Sequence, residues 1–222
     1  MELAYQIIHT LKNTNHPYHY SIEKTFVHRI IDLGVPAGLF FLYFQFYNFG
    51  KVTPQEMVKT TGLLAIALLS LTLFIGPLCR FFPALDILKA HRKFWGILSF
   101  FIGLAHGILI YIYYFHNDVS KLFNPANPKY YGLLAGLVTL VILLIVTLTS
   151  NKKVLNTLNP NTWKIIQSAS YLALIFAVLH FYLVESTNGI LVIKRLLGQI
   201  TFAFAGLVVL IRLLVLLLPN KK

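Results

Sequence analysis

The sequence predicts an all-α membrane protein, folded as a six-helix transmembrane bundle. Of its 222 residues, 57% are hydrophobic and only 12% are charged, and the mean hydropathy is +0.72. An ordinary soluble domain of this size does not have such a composition. Apolar runs of roughly 18 to 25 residues recur along the chain, and each is long enough to cross a hydrocarbon core of ~30 Å.

Six such runs divide the chain. In order, the predicted spans are 28–49, 61–82, 94–114, 131–150, 164–184 and 199–218. The short connections between them leave no room for a separate soluble domain. The predicted organisation is an interfacial or cytoplasmic segment at 1–27, a transmembrane domain at 28–218 and a tail at 219–222. This is the pattern of a multi-pass protein of the cell (inner or plasma) membrane.

The basic residues predict the orientation of the bundle. One side of the predicted topology carries Lys12, Lys24, Arg29, Arg80, Lys89, Arg92, Lys93, Lys152, Lys153, Lys164, Lys221 and Lys222. The other side carries Lys51, Lys59, Lys121, Lys129, Lys194 and Arg195. By the positive-inside rule, the richer side and both termini are cytoplasmic. The net charge of +12 is therefore explained by topology and by contact with anionic lipid, and no basic soluble domain is left to bind a nucleic acid.

The N-terminal segment and the single cysteine limit the kinds of ligand site and covalent cross-link that the protein can have. A short amphipathic face on the membrane surface is predicted from Leu3, Ile7, Ile8 and Leu11. We interpret His9, His16 and His19 as surface residues, because their spacing matches no common ligand pattern. The single cysteine, Cys79, excludes an internal disulfide and covalent attachment of haem through a CxxCH motif.

Two histidines, His106 and His180, lie deep inside the third and fifth predicted spans. An ionisable side chain at this depth is costly and indicates a functional site. These two spans run in the same direction, and a rise of 1.5 Å per residue places the two imidazoles about 18 and about 24 Å from the cytoplasmic end. Neutral imidazole is a good axial ligand for iron. Two imidazoles at similar depth on separate helices predict a flat cofactor held between the helices.

A second interpretation of these histidines stays open, because each could simply hydrogen-bond to a neighbouring helix. The small residues around them fit either a planar ring or ordinary helix packing. These are Gly96, Gly103, Ala105 and Gly107 in the third span, and Ala169, Ala173 and Ala177 in the fifth. No internal repeat is apparent in the sequence.

Several signals are missing from the sequence. No span carries Asp or Glu near its middle, since Asp32 and Glu185 lie near span ends, and this argues against a proton-coupled transporter or an ion pump. Arg212 is the one cation well inside a span, because Arg29, Arg80 and Lys164 lie at span ends. There is no Gly-rich dinucleotide fingerprint and no P-loop, so nicotinamide or flavin chemistry must come from another protein.

Several short motifs resemble those of the ferric-reductase-like transmembrane domain family. They occur in the family's order between about residues 60 and 185, and together they are more specific than any one alone. The matching residues are Thr61-Gly62, the turn Gly76-Pro77-Leu78-Cys79-Arg80, the run Arg92-Lys93-Phe94-Trp95-Gly96-Ile97 with His106, and Thr149-Ser150 with Trp163, Tyr171 and His180. Within the family, the chain is most similar to the MsrQ subfamily, the haem-binding membrane subunits of periplasmic methionine sulfoxide reductase systems.

This resemblance implies one haem b, ligated by His106 and His180. Family members usually have another histidine thirteen residues before the second ligand, and here that position is Gln167. A glutamine amide is a poor iron ligand, which argues against a second, inner haem. His91 lies near the inner ligand position of two-haem relatives, but we expect it to face Gln167 rather than a histidine.

The resemblance also implies a one-electron relay across the membrane. Electrons would enter at the cytoplasmic side near Gln167, Trp163 and Arg92, from a quinol or from a separate flavin reductase, so that quinone or FMN is a further candidate cofactor. They would leave to a redox acceptor protein, such as a molybdopterin sulfoxide reductase, docked on the outer loops at 115–130 and 185–198. Arg92 is interpreted mainly as a topology determinant, with a haem propionate or quinone head group as the alternative partner.

Two other functions remain open at this point. One is a haem-free membrane scaffold or small-solute permease with satisfied core histidines. The other is a ferric reductase membrane subunit, which differs from the MsrQ-like interpretation only in its acceptor. Measuring the haem content distinguishes the scaffold or permease from the electron relay. Identifying the electron acceptor distinguishes the ferric reductase subunit from the MsrQ-like relay.

Overall fold

A computed structural model describes residues 26–151, 154, 157–187 and 189–217. Within these ranges, six helices are long and apolar enough to cross a membrane, which confirms the predicted helical membrane fold. The chain is a multi-pass membrane protein. The predicted amphipathic face at Leu3–Leu11, the histidines His9, His16 and His19, and the tail at 219–222 lie outside the described residues.

The six helices begin and end close to the predicted spans. They are α1 (Phe26–Leu42), α2 (Pro54–Phe81), α3 (Arg92–Tyr113), α4 (Tyr130–Thr149), α5 (Pro160–Glu185) and α6 (Leu196–Leu217). A π-helical turn, Tyr43–Tyr47, extends α1. The 3-10 segments Pro83–Ala90 and Val119–Phe123 precede α3 and α4. A hairpin of two short antiparallel strands, Ser186–Thr187 and Ile190–Leu191, joins α5 to α6.

All six helices begin before their predicted spans, and the two largest differences, at α2 and α5, arise because polar caps start these helices. Thr53 accepts a hydrogen bond from the backbone N–H of Glu56, and Pro54 occupies the first turn of α2. Asn159 accepts from the N–H of Asn161 in the same way, and Pro160 begins α5. Side-chain oxygens at the N-cap and proline in the first turn are both favourable helix starts. Hydropathy alone detects only the apolar part of each helix.

Helix α2 is the centre of the bundle. In its most apolar stretch 67% of the residues are buried, against 17–28% in the other helices. It packs along α3 and α6, while α4 packs along α5, and α6 also contacts α5. The main core joins side chains of α2 to α6, including Leu69, Leu73, Phe100, Leu143, Leu174 and Val208. The bundle therefore consists of two closely packed helix pairs, α2–α3 and α4–α5, with α6 against both.

An even number of helices places both ends of the described bundle on one side. That side also holds the Pro83–Ala90 segment and the starts of α3 and α5. We refer to it as the predicted cytoplasmic end and to the opposite side as the outer end. Many large apolar side chains face outward between the two ends, among them Phe101, Ile108, Leu144, Leu172 and Leu210. This is the surface expected of helices that contact lipid.

Candidate haem-ligand site

His106 of α3 and His180 of α5 lie next to each other in the outer half of the bundle. Their ring centroids are 6.1 Å apart, and the ring planes are nearly perpendicular at 83°. Helices α3 and α5 are not one of the closely packed pairs, because α3 packs on α2 and α5 packs on α4. The two half-buried imidazoles therefore meet where the two helix pairs come together.

His106 is held by α2. Its Nδ1 lies 2.8 Å from the backbone oxygen of Val58. One helical turn further along α2, Gly62 leaves room for the ring, since a Cβ at Gly62 would lie only 2.8 Å from His106 Cε1. A carbonyl acceptor and a missing side chain together fix the position and direction of this imidazole.

His180 is held by α4 in the same way. Its Nδ1 lies 2.7 Å from the backbone oxygen of Gly132. A Cβ at Gly136, one turn further along, would lie 2.8 Å from His180 Nδ1. In both cases the histidine follows its carbonyl partner by 48 residues. The two helix pairs thus repeat one local design, although the sequence shows no repeat.

These hydrogen bonds set the chemistry of both rings. A carbonyl oxygen only accepts, so Nδ1 of each histidine donates and carries the proton. In a neutral imidazole, Nε2 then carries a free lone pair. Metal-bound histidines commonly use this arrangement, with the second ring nitrogen bonded to a backbone carbonyl or carboxylate. Two such imidazoles are a suitable donor set for the two axial positions of a haem iron.

The small residues near the histidines pack against other helices. A Cβ at Gly103 or at Gly107 would lie 3.4 Å from a methyl group of Leu140 on α4. On α5, Ala173 and Ala177 are buried in the main core. Of the two interpretations of these residues, helix packing therefore accounts for the contacts that this structure has.

The polar residues predicted near the cytoplasmic end do not meet in one site. Gln167 donates through Nε2 towards Val146 O, Thr149 Oγ1 and Ser150 Oγ, at 3.2–3.3 Å, so it binds the end of α4. The indole nitrogen of Trp163 is buried and has no hydrogen-bond partner within the described part of the chain.

Arg92 is directed at α2 instead. Its Nε donates to Thr72 O at 3.1 Å, and its guanidinium lies beside Gly76. The hydroxyl of Tyr171 reaches the same turn of α2 and donates to Leu73 O at 2.9 Å. Arg212 of α6 lies over the Tyr171 ring, 4.7 Å from its centroid. Arg92 thus has a partner on α2, whereas Gln167 has its partners on α4.

The expectation that His91 faces Gln167 is wrong. His91 is buried against α1, where its Nδ1 lies 2.8 Å from Asp32 Oδ1 and its Nε2 lies 3.3 Å from His28 Nδ1. The hydrogen bond to a carboxylate on α1 determines this direction. His91 therefore faces α1, whereas Gln167 faces the end of α4.

Four backbone or glycine positions support the histidines without having been predicted as site residues. Gly62 belongs to a motif quoted above, but Val58, Gly132 and Gly136 do not. Gly132 and Gly136 are four residues apart, a spacing that lets another helix approach closely. That spacing is a detectable signal in the sequence, whereas the carbonyl acceptor on Val58 leaves none.

Comparison with known families identifies the family of the chain. A family model described as a ferric reductase like transmembrane component matches residues 61–178, which is more than half of the chain. The chain belongs to this family. The matched region contains Gly62, His106 and Gly136 and ends two residues before His180. No curated protein matches the chain in a sequence search. Membership in the ferric-reductase-like family suggests a membrane electron-transfer subunit.

Proposed function

We propose that the protein is a membrane electron-transfer subunit that holds one haem b between His106 and His180. The observation that carries this proposal is the pair of imidazoles 6.1 Å apart, each with Nδ1 bonded to a backbone carbonyl. A haem bound there would be held by these two imidazoles and would supply a one-electron carrier. Such a carrier suits electron transfer.

The chain's own residues account for binding and orientation. Val58 O and Gly132 O hold the protons on Nδ1, which leaves the lone pair on each Nε2 and makes the imidazole a stronger donor. Gly62 and Gly136 allow the rings to lie close to α2 and α4.

One haem is favoured over two by the partners of the inner residues. Gln167 is engaged by the end of α4, and His91 is engaged by Asp32 and His28 of α1. Neither side chain is directed at the other. The other imidazole pair in the described part of the cytoplasmic half is His28 and His91, and these two rings are joined to each other by a direct hydrogen bond of 3.3 Å.

The finer proposal is an MsrQ-like relay. A cytoplasmic flavin reductase or a quinol would donate electrons, and a periplasmic molybdopterin sulfoxide reductase would accept them at the outer end. The motif resemblance supports this assignment. The ferric reductase alternative shares the donor side and differs in passing electrons to ferric iron outside the membrane.

Haem content and ligation test the central proposal. The detergent-purified protein would be examined by reduced-minus-oxidised absorption and by pyridine haemochrome, together with His106→Ala, His180→Ala and the control His116→Ala. His116 lies exposed on an outer loop, so its loss should change nothing. We expect about one haem per chain with a bis-imidazole b-type spectrum, lost in the first two variants only. A colourless wild-type protein after expression with ample haem would leave the scaffold or permease function.

The acceptor is tested separately. The reduced, haem-loaded protein would be mixed with a periplasmic molybdopterin sulfoxide reductase or with a ferric chelate, and haem reoxidation followed by stopped-flow absorption. Rapid reoxidation by the first and slow reoxidation by the second is the result expected. The reverse pattern would replace the MsrQ-like assignment with ferric reduction.

A further inference from the structure

A hydrogen-bonded chain of three side chains lies at the predicted cytoplasmic end, where α1 meets the start of α3. It consists of His28, His91 and Asp32, and we call it the His28–His91–Asp32 chain. The distances are 3.3 Å from His28 Nδ1 to His91 Nε2 and 2.8 Å from His91 Nδ1 to Asp32 Oδ1. His91 and Asp32 are only 1% and 4% exposed, whereas His28 is half-buried. The chain thus leads from the surface to a buried carboxylate.

The surrounding residues hold this chain in one arrangement. The Trp95 ring stacks on the His91 ring at 5.4 Å between centroids, and its Nε1 donates to the backbone oxygen of Asp32 at 3.1 Å. Ile75 and Cys79 of α2 pack in one buried cluster with Trp95. A buried carboxylate and a buried imidazole cost free energy that apolar side chains at the same positions would not. Helix packing alone therefore does not account for them.

The order of donors and acceptors favours proton uptake from the surface. An ionised Asp32 only accepts, so Nδ1 of His91 carries the proton of their hydrogen bond. His91 Nε2 then accepts from His28 Nδ1, which leaves the Nε2 lone pair of His28 free to receive another proton. If His28 takes up a proton at Nε2 and passes its Nδ1 proton to His91, the Asp32 carboxylate stabilises the resulting imidazolium, as the acid of a catalytic triad does.

Other ionisable groups near this corner have partners of their own. In the Pro83–Ala90 segment, Asp86 and Lys89 pair with each other at 2.8 Å in an exposed position. Arg92 points to Thr72 O on α2, and the Cys79 thiol lies 3.2 Å from Leu85 O. The groups that face His91 directly are therefore His28 and Asp32 of α1.

We propose that the His28–His91–Asp32 chain is the proton acceptor for a donor that loses a proton with each electron, namely a hydroquinone or a dihydroflavin. This inference rests on the proposed function, because it takes a ferric haem held by His106 and His180 as the electron acceptor. For each electron that reduces ferric to ferrous haem, one O–H or N–H bond of the donor breaks and its proton binds His28 Nε2. Two such steps give the quinone or the oxidised flavin, and the protons leave through His28 to the aqueous side.

The test compares reductants that do and do not release protons to the protein. Stopped-flow absorption would follow haem reduction by menadiol, by reduced FMN and by dithionite, in the wild type and in Asp32→Asn, His28→Gln and the control Asp86→Asn. We expect Asp32→Asn and His28→Gln to slow reduction by a proton-releasing donor by about tenfold or more. Reduction by dithionite, haem content and the Asp86→Asn kinetics should stay as in the wild type. Slowing with menadiol alone would identify a hydroquinone, and slowing with reduced FMN alone would identify a flavin.

A second measurement does not depend on electron transfer. An azido-quinone would be photo-crosslinked to the full-length protein and the labelled peptides identified by mass spectrometry, with excess menadione or FMN as competitor. Competable label at the starts of α1 and α3 is expected, with less label in His28→Gln.

Three results would overturn the proposal. These are unchanged menadiol and reduced-FMN kinetics in both variants, equal slowing with dithionite, or loss of haem from both, since the last two would make the chain a structural contact between α1 and α3. A wild-type protein without haem would refute the proposed function instead, and the crosslinking would still decide whether the donor binds at this corner.

Discussion

The outer and cytoplasmic halves of the bundle use their polar side chains in opposite ways. In the outer half, His106 and His180 come from different helix pairs, have equivalent supports and face each other. In the cytoplasmic half, Gln167, Arg92 and His91 bind α4, α2 and α1 respectively. The comparison teaches that depth and residue type alone do not make a ligand site. A ligand site also requires that the side chains face each other. In the outer half, this depends on the glycine and the backbone carbonyl that support each imidazole.

The first prediction concerns those glycines and has the largest expected effect. Gly62→Ala and Gly136→Ala each place a methyl group about 2.8 Å from a ligand imidazole, and overpacking of this kind typically costs about 1–3 kcal/mol. We expect haem retention to weaken by about tenfold in each variant, since 1.4 kcal/mol corresponds to a factor of ten. Haem content and dissociation rate would be measured after purification.

Gly206→Ala is the matched control, because a Cβ at Gly206 meets no atom within 4 Å. Equal effects at Gly62 and Gly136, with none at Gly206, would support the repeated design. A strong effect at only one of the first two would show that the two histidines are not equivalent.

The second prediction concerns the outer end, where Arg195 clamps α6 to α2. Its guanidinium makes two hydrogen bonds of 2.8 Å with the Glu56 carboxylate and another with Tyr47 O, and it lies over the Tyr47 ring at 4.6 Å. The hydrogen bonds to Glu56 raise the pKa of Arg195 above its ordinary value. Arg195→Ala should cost about 1–2 kcal/mol, because it leaves Glu56 partly buried without its bidentate partner.

A change of that size lowers the thermal midpoint of a chain of this length by about 2–8 °C. The measurement is thermal unfolding in detergent, with exposed Lys194→Ala as the control. Haem content should be unchanged, because the clamp lies beyond the histidines. Loss of haem in Arg195→Ala would show that the outer end and the ligand site form one structural unit.

The sequence was sufficient to predict the class of fold, the six spans and the approach of the two histidines. Those features follow from hydropathy and helical rise, which are local and periodic. The directions of Gln167 and His91 were not predictable in the same way. His91 turns to Asp32, and Asp32 lies 59 residues away on another helix, so the choice depends on which helices pack together. The carbonyl acceptors on Val58 and Gly132 also escaped detection, because a backbone carbonyl is present at every residue.

The third prediction adds the histidine that the family usually has. Gln167→His should leave the stoichiometry at about one haem per chain, because the structure places no second imidazole opposite this position and His91 is held by Asp32. Pyridine haemochrome analysis after expression with excess haem is the measurement. Two haems in this variant would mean that His91 or another group turns inward when a partner is available, and that the two halves differ by one side chain only.

The last prediction concerns Trp163, whose buried indole N–H has no partner among the described residues. An unsatisfied buried donor typically costs about 1–3 kcal/mol, so Trp163→Phe removes that penalty while keeping an aromatic ring. We expect a stability equal to that of the wild type or higher by about 1 kcal/mol, with haem content and reduction kinetics unchanged. Thermal unfolding and stopped-flow reduction by menadiol would measure these. If Trp163→Phe instead slows reduction by menadiol but not by dithionite, the indole N–H binds the donor, and electron entry lies at α5 rather than at the His28–His91–Asp32 chain.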